Sequence, residues 1–155
     1  MRPGVVPGVL NTRENAPSSI STRTGTRPEF LSLDDILEIH RDQIERYGGE
    51  LSIRDRGLLE SAVAMPQQSF GGEYLHPDIF EMAAAYAFHL AENQAFVDGN
   101  KRTGLAAAYM FLALNGYRLI EQGERLYEAM IAVGTHRLDK SGLAQVLRKC
   151  SQVDV

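Results

Sequence analysis

The chain of 155 residues contains one cysteine, Cys150, and no apolar run near the roughly 20 residues that a membrane span needs. A single cysteine excludes an intrachain disulfide, and nothing points to an oxidising compartment, so a cytoplasmic protein with no membrane association is expected. Cys150 reads as a small apolar residue of the last helix. Excess positive charge is missing too: a net charge of -4 argues against a general nucleic-acid-binding surface. Neither a Gly-x-Gly-x-x-Gly fingerprint nor a Walker A loop occurs, which removes the two common glycine-rich phosphate cradles. No alternating pattern is long enough to build a sheet.

What is present is ordinary for a globular protein, with 44% hydrophobic residues and 23% charged ones, in a chain long enough for one packed core plus a tail. Residues 1–28 carry Gly, Pro, Ser, Thr and four arginines without apolar periodicity, and are expected to form a disordered N-terminal tail. Val5 to Leu10 is broken by Pro7 and Gly8 and makes no signal-peptide core. Residues 29–150 are expected to form one helical domain.

Helical spacing begins at Ser32-Leu-Asp-Asp35, a capping box with Asp in place of Glu. Leu33, Ile36, Leu37, His40, Ile44 and Tyr47 follow on one face until Gly48-Gly49, and His40 there reads as a core histidine. A second helix is expected over Arg54–Ala64, with Leu58, Leu59, Ala62 and Val63 inward. A third starts with Pro77 as its first residue and buries Ile79, Met82, Ala83, Tyr86, Ala87 and Leu90. A fourth, Lys101–Leu114, is apolar nearly all round, with Tyr109, Met110 and Phe111 in the core and Asn115-Gly116 as its stop. Glu124–Val133 and Ser141–Cys150 complete an all-α architecture. His89 and Glu92 are three apart, but a third metal ligand is missing, so they read as a solvated pair.

The chemistry gathers in Gln94-Ala-Phe-Val-Asp-Gly-Asn-Lys-Arg-Thr103, where an acid, two cations, an amide and a glycine enter the fourth helix. The free N–H groups and the dipole of a helix start attract phosphate. Gly99 permits a backbone turn closed to other residues, and Asn100 and Thr103 supply further polar groups at the helix start. Lys101 and Arg102 add charge, Arg as a fork and Lys as a point. Asp98 can hold a magnesium ion whose shell nucleotide phosphates and water complete. Phe96 is expected to point inward and pin the loop. The same residues also suit an ordinary Asp-Gly turn followed by solvated cations.

Phe96-Val-Asp-Gly-Asn-Lys-Arg102 resembles the signature of the Fic/Doc family in its Doc, or death-on-curing, form. The similarity extends from about Phe30 to Leu147, through Phe30-Leu-Ser-Leu-Asp-Asp35, Leu58-Leu-Glu-Ser-Ala62, Pro66-Gln-Gln68 and Leu112-Ala-Leu-Asn-Gly116. It implies a helical bundle around a buried central helix, with a small flap loop or hairpin within Met65 to His76 beside the site. It also implies a toxin of a toxin-antitoxin system that moves phosphate from ATP, with Mg2+, to a hydroxyl of a protein acceptor, a translation elongation factor. Related Fic enzymes transfer AMP and carry a further arginine where Leu105 stands here, so the pattern favours the Doc side. The resemblance further implies an antitoxin with a short helical segment docking near the flap. No inhibitory Ser/Thr-x-x-x-Glu-Gly/Asn helix occurs in the chain itself.

One position departs from the family. Gln94 stands where the family has the histidine that takes the acceptor's proton, and an amide can orient a hydroxyl but not deprotonate it. A catalytically silent nucleotide-binding or partner-binding domain is therefore the alternative. His89 does not replace the base, because five residues is roughly 140° around a helix.

Overall fold

The computed structural model describes residues 27–120 and 124–154, so the expected tail lies outside the described residues except for Arg27 and Pro28. Helix α1 spans Leu33–Tyr47 and starts on the expected box: Ser32 Oγ accepts the Asp35 N–H, and Asp35 Oδ2 accepts the Ser32 N–H. Each such cap is worth about 1 kcal/mol. Helix α2, Arg56–Ala64, begins two residues later than its apolar pattern suggests, because the Asp55 carboxylate caps the Leu58 N–H. A 3-10 turn, Met65–Gln67, leads into the hairpin of β1 (Ser69–Phe70) and β2 (Glu73–Tyr74). Gly71 and Gly72, both at positive φ, make its turn.

Helix α3 spans Ile79–Asn93. Pro77 lies just outside it, because Asp78 takes the cap by accepting the Glu81 N–H. Helix α4 covers Asn100–Leu114, and β3 (Tyr117–Leu119) follows. Helices α5 (Glu124–Gly134) and α6 (Lys140–Lys149) come next, and β4 (Ser151–Val153) returns antiparallel to β3. This β3–β4 ribbon was not expected; strands of three residues are too short to show a period of two. None of the described helices is long and apolar enough to cross a membrane.

The bundle is all-α with a small flap hairpin. Its centre is α3, where Met82 to Ala87 are all buried, and α4 crosses it at close range. A methyl group on Gly104 would lie 2.7 Å from the Ala87 carbonyl oxygen, so the small residues on both helices set their separation. Asn115 ends α4 and ties in the chain's entry: its Nδ2 donates to the Glu29 carbonyl at 3.0 Å, and its Oδ1 accepts the Glu29 N–H at 2.8 Å. Tyr86 holds the next residues, its Oη accepting the Leu31 N–H at 2.8 Å.

Three expected core residues turn out otherwise. Tyr47, Leu58 and Tyr109 are 60%, 37% and 40% exposed. Tyr47 and Tyr109 line a groove that leaves one flank of α4 uncovered, so that helix is not enclosed all round. The solvated pair also fails. His89 points at Lys140, its Nε2 3.0 Å from Nζ, whereas the Glu92 carboxylate lies 3.8 Å from the His136 ring in the α5–α6 turn.

Candidate active site

The site is built where α3 stops. Gln94 closes that helix in the left-handed conformation, φ 47° and ψ 47°, uncommon for a residue with a side chain. Arg54 stabilises the stop: its Nε donates to the Gln94 carbonyl at 2.7 Å and its Nη2 to the Asn93 carbonyl at 3.1 Å. A cation on the last carbonyls of a helix also complements the dipole. The chain then runs beside residues 52–55. The Arg54 and Asp55 N–H groups both donate to the Ala95 carbonyl, and the Val97 N–H donates to the Ser52 carbonyl.

Phe96 points inward as expected, 1% exposed, with its ring flat against His40 at 3.6 Å between centroids. His40, itself buried, donates from Nε2 to the Asp98 carbonyl at 2.8 Å. Burial lowers its pKa against the opposing pull of that hydrogen bond, which favours a neutral ring with the hydrogen on Nε2. The two rings thus fix the loop from beneath.

Above them the predicted residues sit together, with different roles. The Asp98 carboxylate is exposed, and its Oδ2 accepts the Glu50 N–H at 2.8 Å, while Oδ1 has no partner among the described residues. The loops approach closely here, since a methyl group on Gly49 would come 2.9 Å from Asp98 Cβ. Gly99 adopts φ 80° and is the N-cap of α4. Asn100 folds back instead of facing outward: its Oδ1 accepts the Phe96 N–H at 3.0 Å and its Nδ2 donates to the Phe96 carbonyl at 2.9 Å. Its main-chain N–H and one Nδ2 hydrogen remain for a ligand. Thr103 is fully buried, with a hydroxyl that finds no partner among the described residues.

Lys101 and Arg102 are exposed at this helix start. Lys101 lies along the end of α5, where a methyl group on Gly134 would meet its Cε at 2.7 Å. The Arg102 guanidinium rests over the Tyr47 ring at 4.9 Å from the centroid. Such a cation–π contact is worth about 0.5–1 kcal/mol at an exposed site, weak enough for an anion to displace. Helices α1, α2, α3 and α6 all start on a Ser or Asp side chain that accepts a main-chain N–H, whereas α4 has no side-chain cap. Its first N–H groups are open to an external acceptor.

Arg54 and Tyr47 escaped the sequence reading. Arg54 is 40 residues from Gln94, and no local spacing signals a contact made through two loops. Among the described residues no three of His, Cys, Asp and Glu converge as metal ligands. Asp98 can therefore contribute one carboxylate oxygen to a cation, which suits magnesium completed by phosphates and water.

Residues 30–112 match the Fic/DOC family model, and the chain belongs to that family. Within it, the chain is similar to the Doc branch. It is 40% identical over 121 residues to the toxin Doc of Mycolicibacterium smegmatis, a match covering 77% of this chain and 91% of that one. It is 31% identical over 119 residues to the protein kinase doc of Escherichia phage P1, covering 77% and 93%.

Proposed function

We propose that the chain is a Doc-type toxin that binds ATP with magnesium at the start of α4 and transfers the terminal phosphate to a hydroxyl of a protein acceptor. The observation that carries this is the uncapped helix start at Gly99, flanked by Asp98 and by Lys101 and Arg102. Open N–H groups and the dipole bind phosphate oxygens, and the two cations stabilise the charge that spreads over them during transfer. Asp98 Oδ1 would hold the magnesium, which when bound would supply positive charge against the phosphates. His40, Phe96 and Asn100 keep that carboxylate and those N–H groups in place without movement at the moment of reaction.

Gln94 stands at the site's edge, exposed, on a backbone held by Arg54. Its amide can orient the acceptor hydroxyl, and the proton leaves to water. His89 supplies no base here, being engaged with Lys140. Leu105, at the position where AMP-transferring relatives carry arginine, packs partly buried beside the core. That supports phosphate over AMP as the group moved. The resemblance favours a translation elongation factor as acceptor, in the cytoplasm. Incubation with ATP labelled at the γ or the α position, in parallel, tests the proposal: label should pass to an acceptor from γ-labelled ATP only.

A neutralising antitoxin belongs to the same proposal. An open groove of about 790 Å3 runs along α1, α4 and α5, with Ile39, Leu105, Ala106, Met110 and Leu126 on its floor and Arg102 and Tyr47 among its lining residues. Besides the flap, where the resemblance implies docking, this groove offers an apolar seat for an amphipathic helix, and its occupant would reach Arg102.

A further inference from the structure

On the α3–α6 side of the molecule, apart from that site, three titratable residues, His76, Glu81 and Lys140, line a cavity of about 330 Å3. Met65, Leu75, Pro77 and Ser141 complete the lining, and His89 on α3 meets Lys140. Two buried polar atoms at this cavity, His76 Nδ1 and Glu81 Oε2, have no partner among the described residues. Neither the fold nor the proposed transfer uses them.

Lys140 is the residue out of place. Lysine ammonium groups usually lie in water or against carboxylates, but here Nζ sits 3.0 Å from the imidazole Nε2 of His89 and 5.9 Å from the centre of the Phe88 ring. Among the described residues no carboxylate lies within ion-pair distance of it. An imidazole Nε2 with its hydrogen on Nδ1 is a bare lone pair facing the amine. Burial holds both His76 and His89 at about 4, and the neighbouring Lys140 charge pushes the same way, so both rings are neutral near pH 7. Burial also lowers the Lys140 pKa, only partly opposed by Glu81. A lysine whose ammonium form burial disfavours, with Nζ against the Nε2 of a neutral histidine at the edge of a small pocket, is the arrangement of a nucleophile poised for activation.

We infer that Lys140 is a selective N-acylation site for small activated acyl groups, carried as acyl phosphate or acyl thioester. The amine nitrogen attacks the acyl carbonyl carbon and forms the amide C–N bond. The bond from that carbon to phosphate oxygen or thiol sulfur breaks, and its electron pair leaves with the phosphate or thiolate. The amine's proton passes to His89 Nε2. The cavity holds an acetyl group but not a nucleotide carrier, so a thioester's bulk stays outside. No oxidant or further reactant is needed.

The chain provides its own control, having three lysines, of which Lys101 and Lys149 are exposed. The full-length protein would be treated near pH 7 with acetyl phosphate in one arm and acetyl-coenzyme A in the other, and acetylation followed by peptide mass spectrometry. Lys140 is expected to react at least about tenfold faster than Lys149, within what a positioned base contributes. The preference should vanish in urea. His89→Gln should remove it while leaving the Lys149 rate unchanged. The arm that shows the preference identifies the acyl source. Equal rates at Lys140 and Lys149 in the folded chain, in both arms, would overturn the inference. A preference that survives His89→Gln in a folded variant would overturn the role of His89.

Discussion

Arg54 donates two hydrogen bonds to the end of α3, one of them to Gln94, and so fixes the backbone of the residue proposed to orient the acceptor hydroxyl. The side chain at position 94 is therefore delivered by a preset main chain. Substituting it changes chemistry without rebuilding the loop.

Gln94→His is accordingly expected to raise phosphate transfer by about a hundredfold or more, since a positioned general base contributes about 10²–10⁴. The rate of the variant should rise with pH through about 6.5 as the imidazole loses its proton, an inflection glutamine cannot give. Initial rates with γ-labelled ATP at a series of pH values test it. A flat profile with no gain would remove the proton-acceptor role from position 94.

Nucleotide binding can be separated from turnover. Millimolar ATP with magnesium should raise the melting temperature, because a ligand at about a hundred times its Kd stabilises by roughly 2.7 kcal/mol. Asp98→Asn keeps an oxygen for the Glu50 N–H but loses the charge, and Arg102→Ala loses the fork. Both should abolish most of the shift while leaving the ligand-free melting temperature within a few degrees. An unchanged melting curve of the parent chain with ATP would refute the phosphate site.

Gly104→Ala is expected to destabilise by about 1–3 kcal/mol, the usual cost of overpacking. The added methyl would meet the Ala87 main chain, which cannot swing aside as a side chain would. A urea titration should show a lower midpoint with an unchanged slope. A neutral effect would mean that the helices can separate freely.

Acid should weaken the fold through the α3–α6 cluster. His76 and His89 lie near 4 when folded and 6.5 when unfolded, so between those values the unfolded chain binds protons that the folded chain does not. Stability therefore falls as pH drops from about 6.5 to 4, by on the order of 2–4 kcal/mol for the two together. The Asp35 and Glu81 carboxyls, raised mainly by burial, pull the other way, and their effect grows toward the lower end of that window. Urea midpoints across the range should decline, and the decline should flatten in a His76→Gln, His89→Gln double variant.

Blocking the groove should affect neutralisation alone. Tyr109→Arg places a long charged side chain in the groove, two turns along α4 from Arg102. Antitoxin affinity should drop at least tenfold by calorimetry, with transfer activity retained. Undiminished affinity would move the docking site elsewhere.

Much of this was legible in the order of residues because it depends on neighbours in sequence. Ser32 with Asp35, the glycines after Tyr47, Asn115-Gly116, and Gly99 before Lys101 and Arg102 act within a few positions of one another, where helix and turn geometry is set by local sterics and hydrogen bonds. The inward turn of Phe96 and the burial of His40 followed from the same spacing. Tertiary structure alone decided which partners those residues meet: Arg54 on Gln94, His40 on the Asp98 carbonyl, Tyr47 under Arg102, Lys140 against His89. Each joins segments 40 or more residues apart, brought together by the packing of α1, α3, α4 and α6 and by the loops that packing aligns. It also decided that Asn100 spends its side chain on Phe96 and that Tyr109 faces a groove. Helical periodicity fixes the direction of a side chain on its own helix but carries nothing about whether another helix arrives to cover it.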